Sequence, residues 1–180
     1  MNRRRRRLRC ARGQVVVMVA AFLGLVLVPL GLAVLAANMQ RTDHAALSAL
    51  VQRAALDGAG ALADTSLGTP TPTLAGGSAS CGANLDAASA AGQACHALQT
   101  GLYALFGGTH PRVSAADALA DTDVAVLNGT PNAPVADPAT GRTYHYPTVC
   151  VSATIRIGLL EDDGPGFTYH FHACAQSAYR

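Results

Sequence analysis

Between Val15 and Ala37 the chain runs for 23 residues without a charged or ionisable side chain, and Arg12 and Arg41 flank this run. At ~1.5 Å per residue a helix of that length spans roughly 34 Å, enough to cross a hydrocarbon core of about 30 Å with some tilt. Pro29, which would break a soluble helix, is tolerated in a membrane span as a kink, and Gly24 and Gly31 are ordinary there. Val34-Leu35-Ala36 before Ala37 could pass as the cleavage site of a secretory signal. The apolar run, however, is far longer than the ~7 to 15 residues such signals use, so an uncleaved anchor is expected.

The overall charge of +2 conceals an asymmetry. Seven arginines (Arg3 to Arg7, Arg9 and Arg12) stand in the first twelve residues without an acid, whereas from Asn38 onward six arginines face eleven acidic residues, a net of −5. A basic tip alone would suit a nucleic-acid arm. Here it abuts the apolar run, the arrangement of the positive-inside rule, so residues 1–14 are expected in the cytoplasm, the rest outside it, and no nucleic acid as partner.

Beyond the anchor (15–37), residues 38–64 are rich in Ala and Leu and free of proline, with His44, Leu47, Val51, Ala54, Ala55 and Leu62 near one face. The helix is expected to continue through them, weakened at Gly58 and Gly60 and finished before Gly68-Thr69-Pro70. Residues 65–80 combine Gly, Pro, Ser and Thr with almost nothing to bury and read as a linker or a mobile loop. In the remaining segment, 81–180, a second helix is predicted from about Ser89 to Phe106, with Cys95, Leu98, Leu102, Leu105 and Phe106 at three- and four-residue spacing and Gly107-Gly108 ending it.

From Asp123 the pattern turns to strands. Val124 to Leu127 leads into Asn128-Gly129, and Asp137-Pro138-Ala139-Thr140-Gly141 precedes Tyr144-His145-Tyr146; both punctuations suit hairpins. The clearest element is the last, in which residues 150–158 and 167–174 flank the loop Leu159–Gly166. Paired antiparallel so that residue numbers sum to 324, Cys150 faces Cys174, Ser152 faces His172, Thr154 faces His170 and Arg156 faces Thr168. Val151, Ala153, Ile155 and Ile157 then face Ala173, Phe171, Tyr169 and Phe167. This register separates a wet face from a dry one, and a one-residue slip would mix them.

Of the five cysteines, Cys10 lies in the basic tip, while Cys81, Cys95, Cys150 and Cys174 lie beyond the span. An oxidising exterior would make disulfides of these four. The register pairs Cys150 with Cys174 and leaves Cys81 to Cys95 by exclusion, although three connectivities are formally open. The spacings contain no Cys-x-x-Cys knuckle, which argues against zinc. His170 and His172 share a strand face and His145 lies near, but no carboxylate is placed by spacing to complete a metal site. Glu161-Asp162-Asp163-Gly164 lacks the alternating ligands of a calcium loop and reads as a solvated turn. Asn128-Gly129-Thr130 matches a glycosylation acceptor but is equally explained as a turn. No phosphate loop, nucleophile elbow or zinc-protease motif is present, and Gly107-Gly108-Thr109-His110 lacks the context of an oxyanion loop. We therefore expect no enzyme, no cofactor and no small-molecule substrate.

Arg12-Gly13-Gln14-Val15-Val16-Val17 opening an apolar span, followed by Leu50-Val51-Gln52-Arg53-Ala54-Ala55-Leu56-Asp57-Gly58-Ala59-Gly60-Ala61-Leu62-Ala63, resembles the TadE/TadG-like proteins of the Tad (Flp) pilus-assembly system. Residues 9–64 carry most of the likeness; Val149 to Ile155 and the closing strand add a looser one over 149–180. Where family members processed like prepilins have a glutamate five residues after the glycine matching Gly13, this chain has Met18, which tilts the likeness toward unprocessed, TadG-like members. The resemblance implies a bacterial inner-membrane protein with its head outside, which helps assemble or anchor an adhesive pilus alongside other pilin-like proteins and catalyses nothing. The expected fold is α+β: a long transmembrane helix continuing into an extracytoplasmic Ala-rich helix, then a second helix and a small antiparallel sheet stapled by disulfides. A generic anchored binding domain or envelope enzyme is the competing reading.

Overall fold

The computed structural model describes residues 3–66, 69, 72–83, 85–107, 112–158 and 166–177, with residues 3–14 and Thr65 described by backbone alone. The predicted stop at Gly68 and Pro70, the loop Leu159–Pro165, Gly108 to His110 and Arg180 lie outside the described residues. The chain is α+β and divides into two units, Met1–His44 and Ala45–Arg180.

The first unit is helical. Helix α1 covers Arg3–Ala59 with Pro29 inside it. Every residue from Val15 to Met39 is exposed, Leu25 by 79%, so as far as Ala37 an apolar surface surrounds the helix on all sides. Such a surface is stable in lipid and not in water. This helix is long and apolar enough to cross a membrane.

In the second unit, the end of α1 packs into a core with helices α2 (Ala90–Phe106) and α3 (Ala115–Ala120). Leu47, Val51, Ala54 and Ala55 are buried as their spacing predicts, whereas His44 is exposed. The helix stops at Ala59, short of the expected 64, and Gly58 is a point of contact rather than of weakness. A Cβ there would lie 2.8 Å from the Ala90 carbonyl oxygen and 3.1 Å from Val149 Cγ1. At Gly101 of α2 it would run into the Leu50 side chain of α1. Ser89 caps α2 by accepting the Gly92 N–H at 3.0 Å, and Cys95, Leu98 and Leu102 point inward, but Leu105 is exposed.

These helices are buried with one face of a four-stranded sheet ordered β1-β2-β5-β6, built from β1 (Ala79–Ser80), β2 (Thr122–Asn128), β5 (Pro147–Gly158) and β6 (Gly166–Gln176). The β5–β6 register is the expected one, extended at both ends from Thr148↔Gln176 to Gly158↔Gly166. Val149, Val151, Ala153, Ile155, Ile157 and Phe171 enter the core, but Phe167, at the far end of the dry face, is 47% exposed.

Two expectations are corrected. Within the segment 65–80, read as a linker, the described residues 72–80 are tied to the fold. Ala63 N–H bonds to Thr73 C=O, Ala75 N–H to Ala61 C=O and Ala90 N–H to Ala75 C=O, each at 2.9 Å, Leu74 is 2% exposed, and β1 pairs with β2. Backbone groups and one leucine do what the apolar-poor composition could not announce. Nor is Asn128-Gly129 a hairpin turn. Asn128 ends β2 and its side-chain oxygen accepts the Leu74 N–H at 2.7 Å. A Cβ at Gly129 would lie 2.3 Å from the Tyr144 carbonyl oxygen, so glycine is there for a close backbone approach. The chain reverses at Thr130–Ala133 instead.

Candidate functional site

Among the described residues, the richest cluster of chemistry-bearing side chains lies on the sheet face opposite the main core. Strand alternation puts Cys150 and Ser152 of β5, and His172 and Cys174 of β6, on that face, and the register sets Cys150 opposite Cys174 and Ser152 opposite His172. The expected wet face is covered at this end. A short ribbon of β3 (Val135–Ala136) and β4 (Thr143–Tyr144) closes it, and Tyr144, Leu127 and Cys150 form a second small core with Ala125 and Cys174 at its margin.

The ribbon's turn is the predicted Asp137–Gly141 reversal. Asp137 N–H donates to Arg142 C=O and Gly141 N–H to Asp137 C=O, both at 2.8 Å, and Gly141 supplies a φ of 71°. The Asp137 side chain caps this turn. One oxygen accepts the Ala139 N–H at 3.1 Å, and the other accepts the Thr140 hydroxyl at 2.5 Å. That second oxygen also lies 3.1 Å from His172 Nε2, with Asp137 only 1% exposed. The opposite ring nitrogen, Nδ1, is 2.9 Å from Ser152 Oγ, and Nε2 is 3.2 Å from Cys174 Sγ. A single imidazole therefore joins the ribbon, the central strand and the disulfide.

Burial pushes the Asp137 carboxyl up, but the Thr140 hydroxyl, the Ala139 N–H, the His172 ring and the Thr140 N–H act the other way and prevail. The group sits below its ordinary value of 3.8. A carboxyl lowered by folding contributes stability that is full above its unfolded value and is lost as pH falls through the folded one. Asp137→Asn should accordingly lower stability at neutral pH and flatten its decline below about pH 4. Denaturant melts of the detergent-solubilised protein across pH 2.5 to 7 would reveal this, and equal acid slopes for the two proteins would refute it.

Both disulfides are present. Cys150–Cys174 has its Cα atoms 4.0 Å apart and Cys81–Cys95, between the residue after β1 and the middle of α2, has them 5.3 Å apart. Of the histidines considered for a metal, His170 bonds Thr154 at 3.0 Å and faces outward, and His145 is exposed outside the cluster. Asp137 is the residue that sequence reasoning missed. Its Asp-Pro-Ala-Thr-Gly setting signalled a turn, but nothing local signalled that the turn would fold over His172. Compared with known proteins, the chain matches no family model, no curated protein and no solved structure.

Proposed function

We propose that this is a single-pass envelope protein, anchored by α1 with its N-terminus in the cytoplasm and its head outside, that takes part as a structural component in assembling or anchoring a Tad-type pilus. The observation that carries this reading is the division of labour within α1. Residues 15–37 expose apolar side chains all round, and one face of the stretch Leu47 to Ala59, within the TadE/TadG-like segment, is buried in the core of the head through Leu47, Leu50, Val51, Ala54, Ala55 and Ala59. Seven arginines before the span supply the charge bias for this orientation. Two disulfides among the four cysteines after the span suit an oxidising exterior. Catalysis is not part of the role.

The orientation is testable with reporters fused after Arg180. An enzyme active only when exported should be active there, and a fluorescent protein that matures only in the cytoplasm should stay dark. The chain should also resist carbonate extraction from membranes. A fluorescent fusion would reject the orientation, and release of a soluble product starting at Ala37 would reject the anchor. For the pilus role, deleting the gene should remove most surface pili, with restoration by the full chain and not by a version lacking 15–37. Normal piliation in the deletion strain would reject the role while leaving the anchor intact.

A further inference from the structure

Asp137, Cys150, His172 and Cys174 each offer one ligand atom, and these atoms lie within 4.8 Å of one another. They come from three elements, so the tertiary fold and no local motif assembles them. The non-sulfur pair is already spaced for a shared ion. His172 Nε2 and Asp137 Oδ2 are 3.1 Å apart, close to the ~3.3 Å between two ligands on a tetrahedral zinc with bonds of about 2.0–2.1 Å. Their orienting partners are also in place. Ser152 Oγ sits at His172 Nδ1, where it can accept a hydrogen bond from Nδ1–H and so hold the tautomer that leaves Nε2 free to bind, and Ala139 N–H and the Thr140 hydroxyl fix the Asp137 carboxylate. Asp137 and Cys150 are each 1% exposed, while His172 and Cys174 reach the surface and give a route in.

We propose that these four side chains form a redox-gated site for a zinc-class divalent cation, closed by the Cys150–Cys174 disulfide and opened when that bond is reduced. A dithiol supplies the two electrons and two protons. Its own sulfurs join as a disulfide, the Cys150–Cys174 bond breaks, and each cysteine leaves as a thiol. The cation then displaces both thiol protons and binds two thiolates, His172 Nε2 and one Asp137 oxygen. Two thiolates need about 3.8 Å between them on a tetrahedral ion, so each sulfur swings outward by about 1 Å, a side-chain rotation within the paired strands. Two soft sulfurs with an imidazole and a carboxylate select zinc over calcium or magnesium. Cation and disulfide exclude one another, so the ion would guard the pair from oxidation, and oxidation would expel the ion. This inference stands apart from the pilus reading.

Cobalt(II), added to the full-length protein in detergent micelles after anaerobic reduction with a phosphine and removal of the reductant, is the probe. The reduced wild type should take up one cobalt per chain with a thiolate-to-cobalt charge-transfer band and tetrahedral ligand-field intensity, and the oxidised wild type should not. His172→Ala and Asp137→Asn should each weaken binding more than ~10-fold, as loss of a direct ligand exceeds the 10- to 100-fold range of outer partners at its lower end. Zinc should slow iodoacetamide labelling of Cys150 and Cys174 but not of Cys81 and Cys95, read by peptide mass spectrometry. That second readout locates the site even if a variant is poorly folded. Cobalt binding unchanged in both variants, a reduced wild type lacking the tetrahedral spectrum, or protection falling on Cys81 and Cys95 would each overturn the proposal.

Discussion

Cys174→Ser should cost the head about 2–4 kcal/mol of stability, measured by urea unfolding of the intact chain in mild detergent under non-reducing conditions. The bond closes a sequence separation of 24 residues, and its loss frees the unfolded chain of that loop. Cys95→Ser, which opens a separation of 14, should cost nearly as much, because loop entropy grows only logarithmically with length. Against a total of ~5–15 kcal/mol for a domain of this size, either loss should lower the amount of exported protein and expose the head to proteases. Non-reducing peptide maps decide the connectivity. Recovery of Cys150 linked to Cys81 or Cys95, or of free thiols in the exported protein, would remove the bond and the register together.

A second large effect separates two residues that strand alternation alone makes equivalent. Ile155 and Phe167 both belong to the dry face of the β5–β6 pair, yet Ile155 is fully buried while Phe167 is 47% exposed. Ile155→Ala should therefore destabilise the head by ~2–5 kcal/mol through lost transfer energy and the cavity left behind. Phe167→Ala should stay within about 0.5 kcal/mol, the range of surface changes away from special features. The same urea transitions read both. Equal costs for the two would mean that the helices cover the hairpin to its tip, contrary to the structure.

The candidate site shows where sequence reading stops. Cys150 opposite Cys174 and Ser152 opposite His172 follow from two strands and one register, because period-two alternation and cross-strand pairing are short-range rules. Asp137 belongs to a ribbon whose own turn is legible in Asp-Pro-Ala-Thr-Gly. Nothing in that pentapeptide states which surface the ribbon covers, and the missing carboxylate that argued against a metal site was supplied from there.

Elsewhere the division is the same. By itself, the sequence determined the apolar span from its 23 uncharged residues, helix α2 from its spacing, and the β5–β6 register from its two-faced sorting. Each is a property of one element or of neighbouring elements, written in periods of 3.6 or 2. Only the tertiary structure decided that Gly58 and Gly101 are points of close packing, that Asn128 holds Leu74 across 54 residues, and that residues 72–80 belong to the fold. Those outcomes depend on which surfaces meet. A periodic pattern specifies the face an element must bury, but the partner on that face is selected by packing the whole chain at once.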